Sequence, residues 1–160
     1  MKLEIKTLAK TDVDTIWAIN EEGLPGTGKV SRNEIIALLD FASLAVGAYS
    51  SGKLVGFVVC LPPKTEYGSL NYAWFNQRYN EFLYVDRIAV STEFQNQQIG
   101  TQLYDFVKRS AMELDVPVTA EVNVQPPNPG SIRFHQRHGF EQVGVLEHDE
   151  KSVAMFLFQQ

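Results

Sequence analysis

Apolar residues recur along this chain in two periods, and the alternation between them predicts its elements. From Leu3 to Leu8 apolar and polar positions alternate (Leu3 and Ile5 against Glu4 and Lys6), which predicts a short strand. Thr11 is placed to cap a helix whose apolar positions are Val13, Ile16 and Trp17, with Asp12 and Asp14 at its positive end. Leu24 to Gly28, with Pro25 and Gly26, is turn chemistry. Ser31 and Glu34 form a capping box ahead of Ile35, Leu38, Leu39 and Ala42 on a second helix. Leu44–Tyr49 and Leu54–Leu61 read as a hairpin turned by Ser51 and Gly52 and ended by Pro62 and Pro63.

The segment from Lys64 to Asn80 has no clear period. It carries Tyr67, Tyr72, Trp74, Phe75 and Tyr79, and reads as a packed aromatic loop. Phe82–Val90 is a nearly continuous apolar strand broken by Asp86 and Arg87. Ile99, Leu103, Phe106 and Val107 then fall on one face of a helix. Val116–Val124 is a buried strand with Glu121 and Asn123 inside it. Pro126 to Gly130 is a rigid turn in which Asn128 caps a helix with Pro129 at its first position, and Gly139 ends that helix. Phe140–Leu146 and Ser152–Phe158 are the last strands, joined by a solvated turn over Glu147–Lys151, and they offer an edge on which a homodimer could form. The strand–helix–strand step in the middle implies a right-handed crossover and a parallel pair. The fold class is therefore α/β, a mixed and mostly antiparallel sheet with one central parallel step, in a single domain over residues 1–160.

Composition narrows the partners. The chain has 160 residues, 44% hydrophobic, enough for one real core. A net charge of −5 disfavours nucleic acid, whose phosphates it would repel, and is compatible with a cationic acceptor. Cys60 alone allows no internal disulfide, which suggests a reducing, cytoplasmic compartment. The first residues carry no apolar secretory core, and no apolar run approaches the length of a membrane span. The three histidines lack the spacing and company of a metal site.

Candidate chemistry starts where the central helix begins. The polar run Gln95, Asn96, Gln97, Gln98 leads into Ile99 and Gly100. First-turn amides have no intrahelical partner, and the helix dipole favours an anion there, so this start suits a phosphate.

Two motifs in order resemble the GNAT superfamily of N-acetyltransferases. The family's loop reads Arg/Gln-x-x-Gly-x-Gly/Ala, and here it is Gln95 to Gly100 with Gln98 at the first glycine. The family's Asn-x-x-Ala-x-x-Leu-Tyr followed by Gly-Phe is here Asn128, Ser131, Phe134 and His135, then Gly139 and Phe140. The Leu54–Phe57 strand is also similar to the family's third strand.

The resemblance implies acetyl-CoA as co-substrate, with no metal. Its pyrophosphate would lie in the loop Gln95, Asn96, Gln97 and Gln98, on the amides from Gln97 through Ile99 and Gly100 to Thr101. Its pantetheine would pair along Ile88, Ala89 and Val90 as an added strand does. Asn128, Ser131, Phe134 and His135 would line the far side. With a negative φ at Gln98, the amide still points inward at small cost.

The implied reaction is direct transfer of an acetyl group to a primary amine of a small molecule or peptide. A non-catalytic acetyl-CoA-sensing module is the alternative. An exposed Lys-type amine has a pKa near ~10.4, so a base or a desolvating pocket is required. Glu121 is the first candidate base, the alternative being a structural ion pair with Arg87. Asp86 is the second, set against a salt link that only holds the sheet. His135, in place of the family's tyrosine, is a candidate acid for the departing thiolate; packing against the cofactor is the other reading. Tyr72, Trp74 and Phe75, with Tyr84, would line the acceptor pocket, where aromatics can hold an ammonium; a hydrophobic flap over the sheet, or a dimer contact, is the alternative. His138 and His148 read as surface residues.

Overall fold

The computed structural model describes residues 3–25, 27–125 and 127–159. The turn expectations at Gly26 and Pro126 lie outside them. Seven strands form one sheet: β1 (Leu3–Thr7), β2 (Leu44–Ser50), β3 (Lys53–Leu61), β4 (Leu83–Val90), β5 (Val118–Gln125), β6 (Glu141–His148) and β7 (Lys151–Phe158). Their order is β1-β2-β3-β4-β5-β7-β6, and only β4 and β5 run parallel. The helices are α1 (Val13–Glu22), α2 (Arg32–Phe41), α3 (Leu70–Arg78), α4 (Ile99–Leu114) and α5 (Pro129–Arg137). The expected α/β architecture, with its central parallel step, is the one found. β7 inserts between β5 and β6, which leaves β6 as a free edge.

Each face of the sheet carries its own core. On one side α1, α2 and α3 cover Tyr49, Phe57, Val59, Leu61, Tyr84 and Met155. On the other α4 and α5 cover Val58, Val85, Val118, Ala120, Val122 and Phe156. The two sets alternate along each strand, as period-two side chains must. β3 is buried at every position but its first, so it runs through the middle of the molecule.

Local chemistry explains most ends. Ser31 Oγ accepts from Glu34 N at 3.1 Å, and Glu34 Oε1 accepts from Ser31 N at 3.0 Å, the reciprocal capping box. The first helix is capped by Asp12 and not by Thr11, which sits in a 3₁₀ turn over Lys10–Asp12. Asp12 is held there because its carboxylate accepts from Ala9 N at 3.0 Å and from the Tyr49 hydroxyl at 2.7 Å. Gly139, at φ +86°, closes α5: its N–H donates to Gln136 O, and Phe140 N donates to His135 O, both at 3.1 Å.

The Lys64–Asn80 segment is not a loop throughout. Ser69 Oγ accepts from Tyr72 N at 3.2 Å and starts α3. The helix docks its aromatics inward. Trp74 lies against β6 at Gly144, where an added Cβ would come within 2.5 Å of Trp74 Cζ2, so a larger residue there would push the helix off the sheet. The last turn is also tighter than expected. β6 and β7 extend to His148 and Lys151, and only Asp149 and Glu150, at φ 50° and 62°, make the turn.

Candidate active site

β4 and β5 pair over only Leu83–Val118 and Tyr84–Thr119, then separate. A bulge opposite Val59 and Cys60 places one extra residue, Asp86, in β4. Leu83 N donates to Pro117 O of the β5 side, while Ser91 N donates to Val55 O of β3, each at 2.8 Å. By alternation the N–H groups of Ile88 and Val90 face away from β3, into the gap. A row of unpaired strand donors thus faces a cleft of about 990 Å³. That volume is in the range of sites for ligands of drug size and above.

The cleft brings together nearly all of the anticipated cofactor positions. Ile88, Ala89, Val90, Gln95, Asn96, Gln98, Ile99, Gly100, Asn128, Ser131, Phe134 and His135 line it. Gln97 is exposed outside it, and Thr101 turns its hydroxyl to His138 Nε2 at 3.3 Å. Asn128 caps α5 through its backbone only, which leaves its side chain uncommitted at the wall. Arg137, which the motif reading passed over, supplies a cation to the lining.

Gln98 departs from the expected negative φ. It sits at φ 61°, ψ 24°, the left-handed region, and Asn96 is at φ 64°. An L-residue there costs about 1–2 kcal/mol relative to glycine. The chain accepts that cost because this conformation turns the polar loop directly into the first turn of α4. Gln98→Gly should therefore raise Tm by about 2–4 °C and keep or improve acetyl-CoA affinity. A large affinity loss on titration calorimetry would instead show that the side chain, and not the amide, does the binding.

Glu121 stands on β5 beside the gap, on the α3 side of the sheet with Thr119 and Asn123. Its Oε1 accepts from the Tyr84 hydroxyl at 2.7 Å and from Asn71 Nδ2 at 3.3 Å. Its Oε2 is buried with no partner among the described residues. Burial pushes its pKa up to about 8, with the nearby Asp86 charge adding to the rise, while the Tyr84 and Asn71 donors and Arg87 oppose it.

Arg87 does not pair with Glu121. Its Nε donates to Asp86 Oδ2 at 2.8 Å, and its Nη1 donates to Asn20 Oδ1 at 3.2 Å and Gly28 O at 3.0 Å. Asp86 is thus one half of a buried pair, with side chains only 4% and 10% exposed, and its charge is already matched. The salt link holds the α1–α2 loop against β4 at the rim of the cleft.

His135 is buried and its pKa is lowered, chiefly by that burial. Its Nδ1 is 2.8 Å from Ser131 O, which requires Nδ1–H, and its Nε2 is 2.7 Å from the Tyr104 hydroxyl. The neutral ring therefore accepts from Tyr104 and has no N–H left to give a thiolate. Both residues belong to the wall of the cleft, with the Tyr104 hydroxyl of α4 buried against His135.

The four residues anticipated for the acceptor pocket are elsewhere. Tyr72, Phe75 and Tyr84 are fully buried and Trp74 nearly so, and none lines the cleft. Formation of α3 turns Tyr72, Trp74 and Phe75 into the core, where Tyr72 donates to Pro62 O and packs 5.1 Å, centroid to centroid, from Tyr84 of β4. The cleft is lined instead by Tyr67, Ser69, Asn71, Asn123 and His148. His148 is not a free surface residue, since its Nε2 is 3.3 Å from Asn71 Oδ1. Among the described residues no cluster of three or more His, Cys, Asp or Glu could hold a metal ion, and no helix is long and apolar enough to cross a membrane.

Solved structures with this architecture are numerous. The ribosomal-protein-S18-alanine N-acetyltransferase from Escherichia coli superposes with a TM-score of 0.77 at 15% identity, covering 98% of this chain and 93% of that one. Ard1 from Thermoplasma volcanium gives 0.79 at 18% identity, over 98% and 97%. Arabidopsis thaliana Naa50, solved with the bisubstrate analogue CoA-Ac-MVNAL, gives 0.76 at 14% identity over 100% of both chains. Identities this low establish a shared fold alone. No curated protein matches by sequence. The sequence profile of the acetyltransferase (GNAT) family, however, matches residues 13–140, a span running from the start of α1 through the split strands to the glycine turn after α5. With the profile covering both walls of the cleft, the chain belongs to the GNAT family of acetyltransferases.

Proposed function

We propose that this protein transfers an acetyl group from acetyl-CoA directly to a primary amine of a small molecule or a peptide. The observation that carries the proposal is Glu121 Oε2: a buried carboxylate oxygen without a partner among the described residues, on a side chain that lines the cleft beside a split sheet. Such an oxygen is costly unless something arrives to use it.

Acetyl-CoA supplies an activated acyl carbon and a thiolate leaving group. The residues of the chain do the rest. Amides at Gln98 to Gly100 meet the pyrophosphate at the positive end of α4, with Arg137 as a nearby cation. The N–H groups of Ile88 and Val90 receive the pantetheine, and the Val90 N–H lies where a developing oxyanion needs a donor. Glu121 Oε2 takes the proton from the acceptor nitrogen as the new C–N bond forms and the C–S bond breaks. Its raised pKa suits a base working near neutral pH. Cys60 is fully buried in β3, away from the cleft, which favours direct transfer over an acyl-cysteine intermediate.

Thiol release from acetyl-CoA, measured over a panel of small amines and short peptides, tests the proposal. Release with at least one acceptor is expected, together with a rise in Tm on adding acetyl-CoA. If acetyl-CoA raises Tm while no acceptor releases thiol, the chain is a cofactor-binding module instead.

A further inference from the structure

A chain of polar contacts leads from the buried base to the tip of the last hairpin. Glu121 Oε1 receives Asn71 Nδ2; Asn71 Oδ1 stands 3.3 Å from His148 Nε2; His148 Nδ1 is 3.3 Å from Asp149 Oδ2. The three links join β5, the first turn of α3 and the end of β6. An asparagine amide has one donor end and one acceptor end. The orientation that gives Nδ2 to Glu121 leaves Oδ1 in need of a donor, and His148 Nε2–H supplies it. Without that donor the amide is free to turn over and set its oxygen against a carboxylate oxygen, two acceptors in opposition.

We propose that His148 is a positioning residue for acetyl transfer: by donating to Asn71 Oδ1 it fixes the amide so that its NH₂ end faces Glu121. This rests on the reading of Glu121 as the base. The ring faces two acceptors, Asn71 Oδ1 at Nε2 and Asp149 Oδ2 at Nδ1, so the imidazolium makes both contacts, while the neutral Nε2–H tautomer keeps the link to Asn71 and gives up the one to Asp149. The lock also ties the β6–β7 hairpin to α3 across the acceptor half of the cleft, so one contact sets both the roof of the pocket and the state of its base.

The groups that bear on Glu121 are Tyr84, Asp86 and Arg87 of β4, Asn71 of α3 and Tyr104 of α4. Those near His148 belong to its own hairpin: Asp149 at its ring, Lys151 across the strand pair, and Glu147 and Glu150 around the same shallow hollow. Of these, His148 is the one seen to reach the Asn71 oxygen.

The test is a carboxyl ¹³C NMR titration of glutamate-labelled full-length protein, with the Glu121 resonance assigned by its loss in Glu121→Gln. His148→Ala should move the Glu121 midpoint upward by about 0.5–1 pH unit, because a donor to the ionised form is lost. Asn71→Ala should move it similarly, and His148→Ala added to Asn71→Ala should move it no further. His148→Gln, which keeps a side-chain donor, should restore the wild-type midpoint, and the pH profile of kcat/KM should follow each shift. The proposal is overturned if His148→Ala leaves the midpoint in place, or adds fully to Asn71→Ala. A raised KM for the acceptor with an unmoved midpoint would make His148 a substrate contact only. A wild-type protein that releases no thiol with any acceptor would remove the base reading and the catalytic meaning of the lock, while the titration still decides whether the lock exists.

Discussion

Replacing Glu121 with glutamine should nearly abolish acetyl transfer and make the protein more stable at alkaline pH. A positioned base contributes about 10²–10⁴-fold to a rate, and the amide cannot take up a proton. Wild-type kcat/KM should rise with pH through a midpoint near 8, the value to which burial pushes this carboxyl, and the residual rate of Glu121→Gln should lack that step. The stability change follows from linkage. The folded protein holds a proton on Glu121 up to about pH 8, whereas the unfolded chain releases it near 4.5. The native state therefore binds more protons across that window, and wild-type stability falls as pH rises through it. Glutamine imitates the protonated acid at every pH. Its advantage should be close to zero below pH 4.5 and complete above pH 8, at roughly 2–4 kcal/mol once the cost of its own unpartnered amide is subtracted. Thermal melts of both proteins at pH 4, 7 and 9 measure this directly. Equal Tm values at pH 9 would mean that Glu121 is not strained, and an unchanged rate would mean that it is not the base.

A residue that lowers stability where it sits is one that sequence reasoning can locate but not explain. Glu121 stood out because a carboxylate interrupts an apolar strand. Its suspected partner, Arg87, interrupts another apolar strand in the same way. The bulge at Asp86 brings Arg87 to the side of the sheet that Glu121 faces, but its guanidinium is taken by other partners. The extra residue resets the alternation of β4, so that Arg87 and Ala89 take the same side as Tyr84, and Arg87 turns to Asp86 and to Asn20 of α1. No glycine or proline marks that bulge, so nothing local predicts it. The α4–α5 wall of the cleft is far more legible. Asn128, Pro129 and Gly139 act through their own backbone geometry, and the α4 face through its period, and both are properties of short segments.

The aromatic segment is less legible, for the converse reason. Tyr72, Trp74 and Phe75 are poor helix formers with no acidic first turn, and only Ser69 signals the start of α3. Their placement is decided by long-range packing, Trp74 against Gly144 and Tyr72 against Tyr84, which no window of sequence contains. His148 was assigned to a turn because the Asp149–Glu150 corner lacks glycine. Gln98 and Asn96 show the same pattern: left-handed positions occupied by residues that tolerate them, set by the need to join β4 to α4.

The largest structural loss should come from Arg87→Ala. The side chain is almost buried, and removing it strands Asp86 with an unmatched charge, frees Asn20 Oδ1, and leaves Gly28 O with Asn20 Nδ2 as its remaining donor. Breaking a buried pair by deleting one partner costs about 3–5 kcal/mol, which for a chain of this size lowers Tm by roughly 10 °C. Two further effects separate this from a generic core defect. Arg87 opposes the upward push on Glu121 and Asp86 reinforces it, so deleting only the cation should carry the midpoint of the pH–rate profile above 8. The α1–α2 loop, no longer tied to β4 at Gly28, should also loosen the acceptor side of the cleft, raising KM for the amine more than KM for acetyl-CoA. Removing both charges with Asp86→Ala and Arg87→Ala together should cost less than the sum of the two single changes, because neither residue then leaves an uncompensated partner, and should return the pH midpoint toward the wild type. Additive losses in the double variant, with an unmoved pH midpoint, would show the two side chains acting independently and would remove the pair from any account of how this cleft keeps its base.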